Sequence, residues 1–207
     1  MRLRHILTTL VVAVAGSIAL YAQSNSTLST IEKGNARIQS LEASFQQTRK
    51  IVASGKTTKM EGTLYYASPE SMAMLYTAPE GEYLIIKDNT LSMKRNGKAS
   101  SYDTSKNAMM AQLRNTLLLC IKGKVEEAAA VNSAKVLTNE ESDKYVVTLV
   151  GDKAATRGYT TIILKYSKKD CVLTEMETSE AAGIINHYTM TSVKKDGKVD
   201  PAVFQKK

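Results

Sequence analysis

Ser192 and Lys195 stand three residues apart, the spacing at which a lysine amine can act as base to a serine nucleophile. The companion motifs of that chemistry are missing, and the pair reads as turn and surface residues. Gly55-Lys56-Thr57 ends like a phosphate-binding loop, but Lys50 occupies the position of its opening glycine, and no strand-loop-helix context surrounds it. His187 is the only histidine after His5, so a paired-histidine metal site and a nucleophile-histidine triad both lack residues. Glu175 and Glu177 share one face of a strand, as paired acids would, yet an exposed strand face explains them without a cleft. Neither catalysis nor a resident metal or cofactor is therefore expected.

A different chemistry is suggested by Met72, Met74 and Tyr76, which fall on one face of the strand-like run Ser71 to Pro79. Methionine fits a pleated strand less well than valine or isoleucine. Its thioether chain is flexible and polarizable, and it suits a surface that must repack around apolar ligands of varying shape. Met60, Met93, Met176 and Met190 lie in or beside further strand-like runs, and Met109 and Met110 open an apolar helix. Ordinary core filling explains each alone; together they suggest a soft apolar surface.

The elements that would position this surface can be read from periodicity. Leu28, Ile31, Ile38, Leu41 and Phe45 recur at steps of three and four or their sums, which predicts one amphipathic helix from Leu28 to about Arg49. Strands are expected at Met60–Ala67, Met72–Thr77, Glu82–Lys87 and Thr90–Arg95, joined by short Pro-, Asn- and Gly-containing turns that make antiparallel neighbours. Asn96-Gly97 is the sharpest of these turns, since both residues tolerate positive φ. A second helix runs from about Lys106 to Lys122, with Met110, Leu113, Leu117 and Ile121 on one stripe and Gly123 ending it. Beyond an ambiguous stretch at 125–137, strands resume at Lys144–Val150, Tyr159–Tyr166, Val172–Ser179 and Ile184–Val193.

The amino-terminal residues speak to the compartment. Arg2, Arg4 and His5 precede an apolar run of about fifteen residues, Ile6 to Leu20, and then Ala22 and a polar stretch, the pattern of a secretory signal removed after residue 22. Residues 23–207 then form a single domain. No cysteine follows the signal to carry a lipid anchor, because the first is Cys120. An oxidising compartment would allow a bridge between Cys120 and Cys171, but their spacing matches no metal or redox motif, and buried free thiols are the plainer reading. Removing Arg2 and Arg4 lowers the formal charge by two from +8, to +6. Scattered lysines make this a solvated surface able to touch anionic membranes transiently, with no nucleic-acid motif.

Three stretches resemble one known family. "RIQSLEASFQQTRKI" from Arg37, "EGTLYYASPESMAMLYTAPEGEYLIIKDNTLSM" from Glu61 and "VDPAVF" from Val199 are similar, in that order, to the periplasmic lipoprotein carriers of the LolA family. Those have a first helix ending in an A-S-F-x-Q-T run, a Gly-x-Leu strand, two Pro turns and a closing V-D-x-x-x-F segment. The resemblance implies an α+β fold, an incomplete, half-open antiparallel β-barrel with helices covering its concave hydrophobic face. It also implies a monomeric periplasmic chaperone that shields acyl chains of lipoproteins between inner and outer membrane. Its partners would be acylated lipoproteins, an inner-membrane ABC-type release complex and an outer-membrane receptor. Leu64, Tyr66, Met72, Met74, Tyr76, Ile85, Met93, Met110, Leu113 and Leu117 are the expected acyl-chain contacts. Ser68 replaces the family's arginine before the first proline, and Met72 and Met74 replace its aromatics. The alternatives are an exported sensor or shuttle for another amphiphile, and a secreted interaction module with a filled core.

Overall fold

The computed structural model describes residues 25–152, 154 and 156–205, so the proposed signal segment lies outside the described residues. Helix α1 occupies residues 25–35. Strands β1 (Ser40–Ile51), β2 (Thr57–Ala67), β3 (Ser71–Ala78), β4 (Glu80–Lys87), β5 (Thr90–Arg95) and β6 (Lys98–Asp103) follow as one meander. Helices α2 (Ala108–Ile121) and α3 (Val125–Val131) lead to a second meander: β7 (Lys135–Glu140), β8 (Lys144–Val150), β9 (Tyr159–Ser167), β10 (Leu173–Glu180) and β11 (Ile184–Lys195). A short 3-10 turn, Pro201–Phe204, comes last. Among the described residues no helix is long and apolar enough to cross a membrane.

All eleven strands belong to one sheet in the order β6-β5-β4-β3-β2-β1-β11-β10-β9-β8-β7. The two meanders are sewn together where β1 pairs antiparallel with β11, while the outer strands β6 and β7 do not pair. Buried side chains from both meanders and all three helices nevertheless form one continuous core, including Ile31, Phe45, Leu64, Ile86, Leu118, Val125, Leu149 and Leu164. The sheet must therefore curl around the helices without closing, as a half-open barrel. A bulge between β1 and β11 at Glu42–Ser44 adds bend at the seam.

The expected helix from Leu28 to Arg49 is corrected: it stops at residue 35, and Ser40–Ile51 is a 12-residue strand at the centre of the sheet. The A-S-F-Q-Q-T run accordingly belongs to β1. Leu41 and Phe45 are four apart and satisfy either period, but Leu41, Ala43, Phe45 and Gln47 are all buried between less buried neighbours, the alternation of a strand. Buried Gln47 concealed that alternation. The ambiguous stretch divides into α3 and the start of β7.

Gly62 on β2 faces a bulge of β3, where a Cβ would come within 2.1 Å of the Leu75 carbonyl oxygen and 2.8 Å of Tyr76 Cα. Backbone cannot yield as a flexible side chain does. Gly62→Ala is expected to destabilise the fold by about 2 kcal/mol, the scale of an overpacked core. The urea midpoint should fall with its slope unchanged; an unaltered midpoint would show that β3 can move aside.

Asn96 and Gly97 both take positive φ, 50° and 74°, in the β5–β6 hairpin, as the sequence suggested. The carboxyl-terminal segment covers the sheet's outer face. Asp200 caps the 3-10 turn by accepting the Ala202 N–H at 2.9 Å, and Phe204 buries itself against Ala73, Tyr83 and Ile85.

Candidate functional site

A cavity of about 320 Å³ lies between α2 and the inner face of the sheet. α2 begins where the Asn107 side chain accepts the Met110 N–H at 3.1 Å, and ends before Gly123, whose φ is +68°. A Cβ at Gly123 would lie 2.8 Å from Asn35 Nδ2 and 3.0 Å from Ile31, so this residue also lets α1 pack across the helix end. On the sheet side, strand alternation delivers Met74 and Tyr76 from β3, Leu84 from β4, Met93 from β5, Met176 from β10 and Tyr188 from β11.

Of the expected contacts, Met74, Tyr76, Met93, Met110, Leu113 and Leu117 line this cavity. Leu64 and Met72 line a smaller, wholly apolar hollow of about 30 Å³ adjoining it, with Met74, Leu117, Met176 and Tyr188 common to both. Tyr66 is buried in the surrounding core and borders neither space. Ile85 is corrected: it is one residue out of phase with Leu84 and packs on the opposite face beside Phe204. The contacts missed come mainly from the second meander and the cavity's polar end: Arg49, Arg95, Tyr159, Met176, Asn186 and Tyr188. For Met176, Asn186 and Tyr188 the signal was the two-residue alternation of β10 and β11.

Seven of the chain's nine methionines border the two hollows: Met72, Met74, Met93, Met109, Met110, Met176 and Met190. Met60 is buried elsewhere in the core. The concentration of unbranched thioether chains around one space leaves its walls easy to rearrange.

α2 is fastened at its outer side by Arg114, which is largely buried. Its Nε donates to the Asp88 carbonyl at 2.8 Å, Nη2 to Glu70 Oε2 at 2.5 Å, and Nη1 to Asn115 Oδ1 at 2.8 Å. Glu70 follows the Ser68-Pro69 turn, so Arg114 ties this turn to α2. Elsewhere on the inner side, Tyr166 donates its hydroxyl proton to the Cys120 carbonyl at 2.7 Å.

At one end the cavity becomes polar. Tyr76 donates to Gln47 Oε1 at 2.8 Å, and Gln47 Nε2 donates to Asn186 Oδ1 and to the Tyr188 hydroxyl oxygen, both at 3.0 Å. Burial pushes the Tyr76 phenol up to about 12 against the opposing pull of Arg95, and burial likewise raises Tyr159, Tyr166 and Tyr188. The folded state keeps these protons where the unfolded chain releases them. The stability they supply is thus full below the ordinary tyrosine value of about 10 and is lost as pH rises through it towards the folded values. Unfolding midpoints in urea should fall steadily above about pH 10. A Tyr76→Phe variant should fall less steeply; identical pH profiles would remove Tyr76 from this account.

The side chains first weighed for catalysis are occupied otherwise. Lys195 pairs with Asp170 at 3.3 Å, Ser192 sits with φ +52° at the β1–β11 bulge, and Gly55 turns the β1–β2 hairpin. His187 lies 3.5 Å from Glu177 on a partly exposed face. Cys120 and Cys171 are buried free thiols, with Cys120 raised to about 12 by burial and so held unreactive. Among the described residues no group of three His, Cys, Asp or Glu side chains could hold a metal ion.

An open antiparallel sheet curled around a helix-covered apolar hollow defines a container. The chain belongs to the outer membrane lipoprotein carrier protein LolA family, whose sequence pattern matches residues 36–207. No curated protein sequence matches it. An uncharacterized conserved protein of Thermus thermophilus is similar in structure, with a TM-score of 0.51 and 9% identity over 87% of this chain and 91% of that one. A LolA superfamily protein of Nitrosomonas europaea gives 0.43 at 11% identity, over 88% and 97%. Lipoprotein LppX of Mycobacterium tuberculosis gives 0.43 at 10%, over 85% and 98%. At 9% identity the likeness to the Thermus protein is one of fold.

Proposed function

We propose that this chain is an exported periplasmic carrier that takes the acyl chains of lipoproteins into the space under α2 and moves them from inner to outer membrane. The observation that carries this reading is the gathering of seven methionines around the two adjoining hollows. Family membership supports the same reading.

Hiding a hydrocarbon tail from water contributes about 0.8 kcal/mol per methylene, which is ample for a long-lived complex without a cofactor. Retention must still be weak enough for an acceptor to win. At about 320 Å³ the cavity lies near the lower end of small-molecule sites, so a bulky multi-chain cargo needs α2 to swing outward. The contacts between α2 and the sheet then compete directly with cargo. An ATP-driven release complex in the inner membrane would load the carrier, and an outer-membrane acceptor would unload it.

The test is to incubate the purified chain lacking residues 1–22 with spheroplasts that hold newly made lipoproteins. Acylated protein should appear in the soluble fraction, co-migrating with the carrier. If the lipoproteins stay membrane-bound at every carrier concentration, the reading fails.

A further inference from the structure

We propose that the polar end of the cavity is a headgroup site for an oxyanion, a carboxylate or phosphate ester, joined to the hydrocarbon chain that the methionines hold. This rests on the reading of the cavity as an acyl-chain site. It goes further, because apolar walls alone would accept any tail, neutral or charged.

Unspent hydrogen-bond donors gather at that end. Arg49 and Arg95 border it, and among the described residues neither has a carboxylate within ion-pair distance, while Lys94, the register partner of Tyr83, lies on the sheet's outer face. Two carboxylates share the lining, each with one oxygen bound by an amide: Glu82 accepts the Asn96 N–H at 2.6 Å and Glu180 accepts from Asn186 Nδ2 at 3.1 Å. Gln47 gives its amide protons to Asn186 and Tyr188, so the Tyr188 oxygen is used as an acceptor while its own proton has no acceptor among the described residues. The Tyr159 hydroxyl, on the same wall, also has no hydrogen-bond partner among them. Two unspent hydroxyl donors and two guanidinium groups free of ion pairs thus face this space, more N–H and O–H donors than the remaining oxygens of Glu82, Glu180 and Gln112 can take up.

A ligand group that only accepts satisfies such a set; an amine or ammonium would add donors where donors are in excess. Position favours the same conclusion. Arg49 continues the inward row Phe45–Gln47 of β1 and Arg95 the inward row Leu91–Met93 of β5, so the two arginines reach the tyrosine end of the cavity from two strands. Their half-buried and exposed positions leave the charges hydrated until a ligand arrives. A tail threaded past Met74 and Met176 would leave its anionic end at this mouth, where a straight chain reaches water.

Calorimetric titration of the chain lacking residues 1–22 with decanoate, 1-decanol, decylammonium and inorganic phosphate separates the cases. Decanoate should bind roughly tenfold or more tightly than decylammonium, and Arg49→Gln/Arg95→Gln should erase that preference, weakening decanoate far more than decanol. Arg49→Lys/Arg95→Lys should retain most of it. Equal affinity for the three amphiphiles in the unmodified chain would overturn the headgroup site and leave the acyl-chain reading standing. Inorganic phosphate binding as tightly as decanoate would also overturn it, since the site would then serve a free anion. Binding by none of the amphiphiles would sink the acyl-chain reading itself.

Discussion

Met74→Glu will remove acyl-chain binding from a chain that still folds. Met74 borders both hollows, so a carboxylate there meets any tail that enters, whichever branch it takes. Bringing hydrocarbon against it either strands a charge away from water or forces its protonation, at a cost of at least about 3 kcal/mol, which corresponds to more than roughly a hundredfold in affinity. Met72 is a poorer place for this change, because it borders only the smaller hollow; both side chains are buried, so folding is checked for either variant. Met110→Glu on α2 gives an independent check with less danger to folding, since that side chain is only partly buried. Circular dichroism and urea midpoints establish that the variants are folded, and fluorescence displacement of a bound acyl probe reads the loss. Folded variants of both kinds binding the probe normally would show that the tail goes elsewhere.

The second large effect is expected at Arg114. Replacing it with methionine keeps much of the apolar stem but deletes the hydrogen bonds to the Asp88 carbonyl and to Glu70, which tie α2 to two turns of the sheet. Removing a largely buried, charge-assisted set of this kind costs about 2–3 kcal/mol. Much of that loss should fall on the helix locally, because its cavity side has few close partners. Amide exchange across 108–121 should accelerate by roughly thirtyfold or more, with β1 and β11 far less affected. A larger share of molecules would be open to cargo, so apparent affinity should rise and release to an acceptor should slow. Unchanged exchange in α2 would show that Arg114 is not its fastening.

The sequence displayed the first meander well because its turns carry strong local chemistry. Ser68-Pro69, Pro79, Asp88-Asn89 and Asn96-Gly97 set strand ends almost residue by residue. β1 was hidden for an equally specific reason. Leu41 and Phe45 fit both helical and extended spacing, and the buried Gln47 that continues the extended pattern is stabilised only by Tyr76, Asn186 and Tyr188, partners from 29 to 141 positions away in the chain. Local periodicity has no access to such partners. The apolar half of the cavity was legible because methionine is conspicuous on a strand. Ile85 was misplaced because β4 reads Tyr83-Leu84-Ile85-Ile86, apolar on both faces, and only Phe204 reveals that the outer face is covered too. Arg49 and Arg95 were invisible as a pair, since nothing short-range relates the end of β1 to the end of β5.

The seam between β1 and β11 also sets a schedule. Each meander can zip from hairpins as soon as its own residues are available, but Phe45 meets Met190 and Gln47 meets Tyr188 only after nearly the whole polypeptide has been delivered. Until the last long strand arrives, the halves remain separate and the methionine-rich wall has no assembled shape. A molecule ordered in this way commits to its final form in one late step, when its last long strand closes the seam.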